Sequence, residues 1–252
     1  MPELPEVEKA RTALAERLPG RVIAEVDDTD TFVCRPFAPG EIAAALAGCT
    51  VTAVHRTGKQ LMVETGAPGG GAGPVLGLHL GMTGSFRFDE PAGQRFARFS
   101  MTFADGGTVV LRDPRRLGRA VLEPLGKNLG IDALSVAGPR FRELVGRSRA
   151  PVKARLLDQG VVAGIGNLLA DEALWRARID PRRRGTELDR DELIRLYRAM
   201  RATVRDAIAN GGSGQGRFGE GRRAGICPRD GAQLSLGKVG GRTTRWCPLE
   251  QT

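Results

Sequence analysis

A chain of 252 residues is long enough to bury a core, and its 41% hydrophobic content excludes an intrinsically disordered protein. The 38 lysines and arginines outnumber 29 aspartates and glutamates and give a net charge of +9. That excess favours a polyanionic partner, and a merely soluble basic surface is the alternative. Neither a membrane-spanning run nor a signal peptide is evident, so we expect a cytoplasmic protein that does not interact with membranes.

The first half of the chain is predicted to be one helix followed by strands. Residues 5–18 carry apolar side chains at helical spacing. Short β-branched segments then continue to about residue 122, with a short helix near 40–47 and a hairpin turn at 105–107. This pattern indicates a β-sandwich or barrel with an N-terminal helix.

After residue 126 the pattern becomes helical. Three segments have a 3.6-residue apolar rhythm, and the third opens with Asp189 and Glu192 in capping-box spacing. Glycines separate the first two segments, and Asn167 stands where a helix N-cap belongs. The backbone amides at that helix start are candidates for holding a phosphate, and a plain hairpin of two packed helices is the alternative.

The last forty residues are rich in glycine and arginine, so they need a staple or a docking surface to fold. Cys227 and Cys247 are followed three residues later by Asp230 and Glu250, at the spacing of a four-ligand zinc site. Zinc prefers Cys and His in structural sites, and carboxylates are weaker ligands there. Taken alone, the stretch is compatible with a metal site, a lost site or none.

The N-terminal sequence MPELPEVE offers a nucleophile. If Met1 is removed, Pro2 becomes a secondary amine close in sequence to two carboxylates, Glu3 and Glu6. An α-amino group has a pKa of about 7.7–8, so part of it is unprotonated at neutral pH and can condense with an aldehyde. The carboxylates could move protons in such a reaction. The alternative is that Pro2 and Pro5 only stiffen the lead into a helix.

The segments MPELPEVE, LHLGMTGSFRF, DPRRLGR and GIGNLLADEAL and the C-terminal hairpin follow one another in this order along nearly the whole chain. Together they resemble the formamidopyrimidine-DNA glycosylase and endonuclease VIII family. The resemblance implies a two-lobed α+β protein. Its expected domains are a catalytic β-sandwich with an N-terminal helix, a helix-two-turn-helix DNA-binding domain and a zinc-finger-like β-hairpin, at residues 2–126, 127–215 and 216–252.

The same resemblance implies a bifunctional DNA glycosylase and abasic-site lyase of base excision repair. It would act as a monomer on double-stranded DNA with oxidised bases or abasic sites, in the cytoplasm at the nucleoid. A damaged nucleotide is flipped out, Pro2 forms a Schiff base with its sugar, Glu3 shuttles protons, and β,δ-elimination cuts the strand. Glu6 and Lys59 complete the implied catalytic set, and the chemistry needs no cofactor.

DNA contacts are also implied by the resemblance. Met82 would fill the void left by the flipped base, Arg116 would face the orphaned partner base, and Leu117 occupies the wedge position. Core packing is the alternative for Met82. The implied phosphate contacts are Lys59, Lys153, Asn167 and Arg242.

Two departures affect specificity. Leu117 stands where these enzymes usually have Phe, and leucine stacks less well on a base, so the partner-base preference stays open. The segment between Gly212 and Cys227 is shorter than expected for a lesion-capping loop and too rich in glycine to form a shaped lid. Formamidopyrimidines, oxidised pyrimidines and abasic sites are therefore at least as plausible substrates as 8-oxoguanine.

The third departure is the finger, where Cys227, Asp230, Cys247 and Glu250 keep the family register. Because two of these residues are carboxylates, we expect a zincless hairpin, with a structural zinc as the alternative. Packing of Leu234, Val239 and Trp246 would hold it, with Arg229, Arg245 or other basic residues near the carboxylates.

Two other classes of function remain alternatives. One is a damaged-DNA-binding relative without catalysis, and the other is a basic nucleoid or RNA-binding structural protein. The retained Pro2, Glu3, Glu6 and Lys59 favour the enzyme over both.

Overall fold

The computed structural model describes residues 2–91, 93–123 and 129–252. The chain divides into two compact units, Met1–Pro2 with Val7–Gly126, and Glu3–Glu6 with Lys127–Thr252. The predicted boundary at 126/127 lies outside the described residues, and the three-domain division stays a prediction. Helix α1, Leu4–Ala15, contributes residues to both units.

The first unit is a β-sandwich, as the sequence predicts. Its described strands form two antiparallel four-stranded sheets, β1-β6-β7-β5 and β2-β3-β4-β8. One apolar core joins side chains of both sheets to Leu14 of α1. The predicted helix and hairpin turn are confirmed as α2 and the β6–β7 turn. The elements after α1 are β1 Ile23–Asp27, α2 Glu41–Leu46, β2 Thr50–Thr57, β3 Gln60–Gly66, β4 Leu76–His79, β5 Ser85–Phe88, β6 Ala97–Phe103, β7 Thr108–Arg112 and β8 Arg119–Leu122.

The second unit is mainly helical and ends in a β-hairpin. Its core contains Phe141, Leu196 and Met200, all fully buried. None of its described helices, nor those of the first unit, is both long and apolar enough to span a bilayer. Its elements are β9 Ile131–Asp132, α3 Gly138–Gly146, α4 Val152–Leu157, β10 Val162–Ala163, α5 Asn167–Ala177, a 3-10 turn Gly185–Glu187, α6 Arg190–Ala209, α7 Arg217–Ala224, β11 Ser235–Val239 and β12 Arg242–Trp246.

Helix starts in this unit confirm one prediction and correct another. The backbone N–H of Glu192 donates to Asp189 at 2.7 Å, and the N–H of Asp189 donates to Glu192 at 2.9 Å, so the predicted capping box begins α6. Asn167, by contrast, is not an N-cap. Gly166 holds that position, and Asn167 is the first helical residue of α5.

The glycine-rich segment after α6 contains a helix that its sequence did not indicate, and the expectation that it forms no lesion-capping lid stays a prediction. It folds into α7, whose Phe218 is buried against Trp175 at a ring-centroid distance of 5.6 Å. The buried carboxylate of Glu172 accepts the N–H of Phe218 at 2.9 Å and caps this helix. A Cβ on Gly216 would lie 2.2 Å from Glu172 Oε2, so glycine is needed for that contact. Tertiary contacts here override the poor helix propensity of the sequence.

Candidate active site

Glu3 lies within the second unit and is completely buried. Its Oε2 accepts the backbone N–H groups of Gly166 at 2.9 Å and Leu169 at 3.2 Å, and its Oε1 accepts that of Leu168 at 2.8 Å. The carboxylate therefore occupies the N-terminus of α5, where the helix dipole favours a negative charge. The amides that the sequence offered to a phosphate are taken by a residue of the chain itself, so that prediction is wrong.

Two glycines make room for the N-terminal segment. A Cβ on Gly166 would lie 2.2 Å from the Glu3 carboxyl carbon. Gly164 has φ +108°, and a Cβ there would lie 2.5 Å from Leu4 Cδ1. The N–H of Leu4 also donates to the carbonyl of Gly164 at 3.2 Å. The glycines of this motif thus position the residues next to Pro2, in addition to forming a turn.

Glu6 connects the N-terminal segment to the loop that precedes α7. Its Oε2 accepts the N–H of Glu3 at 2.9 Å. Its Oε1 accepts the N–H of Ser213 at 2.7 Å and the hydroxyl of Ser213 at 2.9 Å. Sequence reasoning missed Ser213, because nothing local marks a serine 207 residues away as the partner of Glu6.

In the first unit, Lys59 and Met82 occupy two turns linked through His79. Lys59 lies in the β2–β3 turn, and Met82 follows β4 with 37% of its surface exposed. Burial lowers the pKa of His79, and the positive charge of Lys59 lowers it further. The neutral imidazole accepts the N–H of Gly81 through Nδ1 at 2.9 Å, which fixes the turn that carries Met82.

The DPRRLGR loop is organised by a buried aspartate that the sequence did not single out. Asp113 accepts the backbone N–H groups of Leu117 and Gly118 at 2.7 Å each and the hydroxyl of Thr83 at 2.5 Å. Burial alone would raise the pKa of Asp113, but these hydrogen bonds outweigh it and the pKa is lowered. The ionised carboxylate therefore holds this loop and the Met82 turn together.

The Met82 turn and the DPRRLGR loop are neighbours in the first unit. A Cβ on Gly81 would lie 2.4 Å from the carbonyl carbon of Leu117, so the Met82 turn packs directly on the loop. Leu117 is 41% exposed. Arg116 has φ +53°, and its guanidinium binds Asp30 through contacts of 2.8, 2.9 and 3.2 Å. The turn that carries Met82 and the loop that carries Arg116 and Leu117 are therefore in contact, and their implied roles at DNA stay a prediction.

Lys153 is a correction to the expected phosphate contacts. Its side chain is fully buried, with Nζ 2.6 Å from Asp171 Oδ1 and donating to Thr244 Oγ1 at 2.7 Å. Arg222 Nε lies 3.2 Å from the other oxygen of Asp171. Burial lowers the pKa of Lys153 and raises that of Asp171. The attraction between the two charges shifts each pKa in the opposite direction, but burial has the larger effect. A fully buried ammonium cannot face a phosphate, so Lys153 fixes the hairpin to α4 and α5 instead.

Asn167 and Arg242, two other expected phosphate contacts, lie at the start of α5 and of β12. The side-chain amide of Asn167 donates to the carbonyl of Thr243 at 3.1 Å, which ties the start of α5 to β12. Arg242 is exposed as the first residue of β12. Arg222 also donates to the carbonyl of Thr243 at 3.3 Å. The hairpin strand that presents Arg242 is thus held by side chains of α4, α5 and α7.

Three of the four candidate metal ligands lie together in the finger. The ligand atoms of Cys227, Asp230 and Cys247 are within 4.8 Å of one another, and the Cys247 thiol donates to Asp230 at 3.1 Å. Burial, and next the hydrogen bond to Asp230, raise the pKa of Cys247 to about 11. Glu250 faces away toward Arg178 at 3.2 Å. Three of the four expected donors could therefore reach one ion, and the fourth, Glu250, pairs with Arg178 instead.

Arg229 lies at the centre of the finger's contacts with α5. Its guanidinium lies 3.8 Å from the ring centroid of Trp175 and donates to the carbonyls of Trp175 at 2.7 Å and Arg176 at 3.3 Å. It is also 3.7 Å from Glu250. A cation at the C-terminal end of α5 is favoured by the helix dipole. Beneath it, Cys227, Leu234 and Cys247 pack with Trp175 and Phe218 in one buried cluster.

Comparison with known proteins identifies the class. Residues 1–120 match the model for the formamidopyrimidine-DNA glycosylase N-terminal domain, and residues 129–218 match the model for the H2TH domain of the same enzymes. A sandwich with an N-terminal helix, a helical domain and a terminal hairpin is therefore the fold of a formamidopyrimidine-DNA glycosylase.

The similarity to individual relatives extends over nearly the whole chain. Formamidopyrimidine-DNA glycosylase of Roseiflexus sp. (strain RS-1) is 37% identical over 276 residues, covering 98% of each chain. A complex of Lactococcus lactis Fpg with abasic-site DNA has a TM-score of 0.85 at 29% identity, covering 99% of both chains. A complex of the same Fpg (MutM) with FAPY-dG DNA has a TM-score of 0.84 at 30% identity over 99% of both. The chain belongs to the formamidopyrimidine-DNA glycosylase family, which confirms the resemblance.

Proposed function

We propose that this protein is a bifunctional DNA glycosylase and abasic-site lyase of base excision repair, with double-stranded DNA containing oxidised bases or abasic sites as substrate. The observation that carries the proposal is the Glu3 carboxylate, buried beside Pro2 in the chain and held by three backbone N–H groups. Family membership and the net charge of +9 support the same conclusion.

The residues account for the chemistry in steps. With Met1 removed, the Pro2 nitrogen attacks C1′ of the everted nucleotide, and the bond from C1′ to the base breaks with its electron pair leaving on the base. Glu3 moves the protons of sugar and base during this exchange. The C1′–O4′ bond then breaks with its electron pair on O4′, which takes up a proton, and the open-chain sugar becomes an iminium ion of Pro2. Loss of a C2′ proton expels the 3′ phosphate, and loss of the C4′ proton expels the 5′ phosphate. Glu6 fixes the backbone at Glu3, and Lys59 and Arg242 supply positive charge to phosphates.

Borohydride trapping on an abasic-site duplex tests the proposal. We expect the wild-type protein to form a covalent complex after reduction and the Pro2→Gly variant to form none. Lys9→Ala removes an exposed amine from the same N-terminal helix and should leave the complex unchanged. Absence of the wild-type complex, or an undiminished complex with Pro2→Gly, would refute the enzyme and favour a damage-binding relative. Intact mass shows whether Met1 is removed.

We also infer that the finger is held without zinc. The finger would be stabilised by Arg229 and by one buried cluster, in place of a metal. The cluster consists of Trp175, Phe218, Cys227, Leu234 and Cys247. The hydrogen bond from the Cys247 thiol to Asp230 and the pairing of Glu250 with Arg178 support this inference. The finger would then keep Arg242 available to DNA in the absence of any metal.

The Arg229→Ala variant is expected to lower the free energy of unfolding by about 1.5–3 kcal/mol, because it removes charge-assisted hydrogen bonds from partly buried carbonyls. Urea unfolding measures the loss. Arg178→Ala is the matched control, since Arg178 also pairs with Glu250 but is 63% exposed, and it should cost about 0–1 kcal/mol. Near one zinc per chain in protein purified without chelator, or equal costs for the two variants, would contradict the inference.

A further inference from the structure

Phe32 is an exposed aromatic residue with a fixed position. Its surface is 58% exposed, in the segment that joins β1 to α2. The backbone N–H of Phe32 donates to Asp30 at 3.0 Å, and its carbonyl accepts Arg35 Nη1 at 2.8 Å and Arg119 Nη1 at 3.2 Å. Single exposed apolar residues are common, so only the surroundings can give this one a role.

The surroundings of Phe32 are rich in arginine. The guanidinium of Arg116 lies 5.1 Å from the Phe32 ring centroid, and that of Arg35 lies 5.5 Å from it. Phe32 and Leu117 line a cavity of about 220 Å³ together with three arginines, Arg35, Arg115 and Arg116. An aromatic and an aliphatic surface thus border one space that also carries strong hydrogen-bond donors.

Backbone strain at Arg116 supports a function for this cluster. Arg116 has φ +53°, and a non-glycine residue at positive φ is uncommon, persists only when its surroundings hold it, and is enriched at functional sites. Asp30 provides that restraint here, because it binds the guanidinium of Arg116 and also caps the turn at Phe32. One carboxylate therefore sets the positions of both the arginine and the ring.

We propose that Phe32 stacks on the orphaned partner base, which loses its pairing and stacking partner when the damaged nucleotide is everted. This rests on the proposed function. The orphaned base presents a π-face and an unpaired hydrogen-bonding edge. Phe32 offers a ring to the face, and Arg116 offers donors to the edge. Leu117 can enter the stack but has no π-surface, so Phe32 supplies the aromatic contact missing from the wedge.

The test is a double-mutant cycle, in which the Phe32 side chain and the partner base are removed separately and together and DNA binding is measured each time. Full-length wild-type and Phe32→Ala proteins are titrated with duplexes carrying a tetrahydrofuran abasic analogue, either opposite cytosine or opposite a second tetrahydrofuran. We expect Phe32→Ala to weaken binding about tenfold when cytosine is present and by less than about twofold when the partner base is missing. Phe32→Trp should retain wild-type affinity, and Phe32→Leu should behave like Phe32→Ala.

Val22→Ala is the control, because Val22 is another exposed apolar residue of the first unit, 38% exposed, and should bind as wild type. Thermal melting checks that the variants are folded. Equal losses on both duplexes, no loss on either, or wild-type affinity of Phe32→Leu would overturn the stacking role. Failure of the proposed function would appear separately, as absent borohydride trapping by the wild-type protein.

Discussion

Replacing Glu3 with Gln is expected to lower the single-turnover rate of base excision by about 10²–10⁴-fold. The amide cannot carry the proton that the carboxylate exchanges. Its NH₂ group would also face one of the three backbone N–H donors that now bind the carboxylate at the start of α5. The rate is measured on a duplex with a formamidopyrimidine lesion at saturating protein.

Glu172→Gln is the matched control for Glu3→Gln. Glu172 is also a buried carboxylate that binds a backbone N–H at a helix start in the second unit, at Phe218 of α7. Both variants should therefore lose similar stability in urea unfolding, but only Glu3→Gln should lose the chemistry. If the two variants lower the rate equally, the role of Glu3 is structural, and the assignment of proton transfer to it is wrong.

Replacing Asp171 with Ala is expected to lower the free energy of unfolding by about 3–5 kcal/mol, because it leaves the buried ammonium of Lys153 without its carboxylate. Arg222 loses the same partner, so the hairpin is weakened on two sides. Urea unfolding at neutral pH measures the change, with fluorescence of the buried Trp175 and Trp246 as the probe.

Two further variants test whether the stability loss comes from the burial of the Lys153–Asp171 pair, because an exposed ion pair should contribute much less. Asp206→Ala removes a 52% exposed carboxylate that pairs with Arg176, and should cost about 0–1 kcal/mol. The double variant Lys153→Met with Asp171→Leu should recover most of the loss, because an apolar pair needs no compensation for a buried charge. An Asp171→Ala cost no larger than that of Asp206→Ala would show that the pair contributes little.

Features set by neighbouring residues could be predicted from the sequence. The capping box of α6 needs only Asp189 and Glu192 three positions apart, and it is present. The β6–β7 turn follows from the run Asp105-Gly106-Gly107, in which both glycines have positive φ. Met82, Arg116 and Leu117 lie exposed on short loops, and each family motif contains the residues that shape its own turn, His79 and Gly81 for one and Asp113 for the other.

Features set by distant partners could not be predicted. The N–H groups that hold Glu3 belong to residues more than 160 positions away, so the glycine motif looked like a phosphate site. Helix α7 depends on Glu172 and the packing of Phe218, while its own sequence disfavours a helix. Lys153 was expected at a phosphate because nothing local shows that Asp171 and Thr244 enclose it.

Glu3 is synthesised long before the three backbone N–H groups that bind it, because those groups lie at the start of α5. A ribosome adding about 5–20 residues per second needs roughly ten to thirty seconds to pass from Glu3 to the start of α5. Throughout that interval Pro2 exists, but the peptide groups that hold the neighbouring carboxylate have not been synthesised. A chain interrupted within the β-sandwich therefore carries Pro2, the proposed nucleophile, without the backbone N–H groups that hold the neighbouring Glu3 carboxylate.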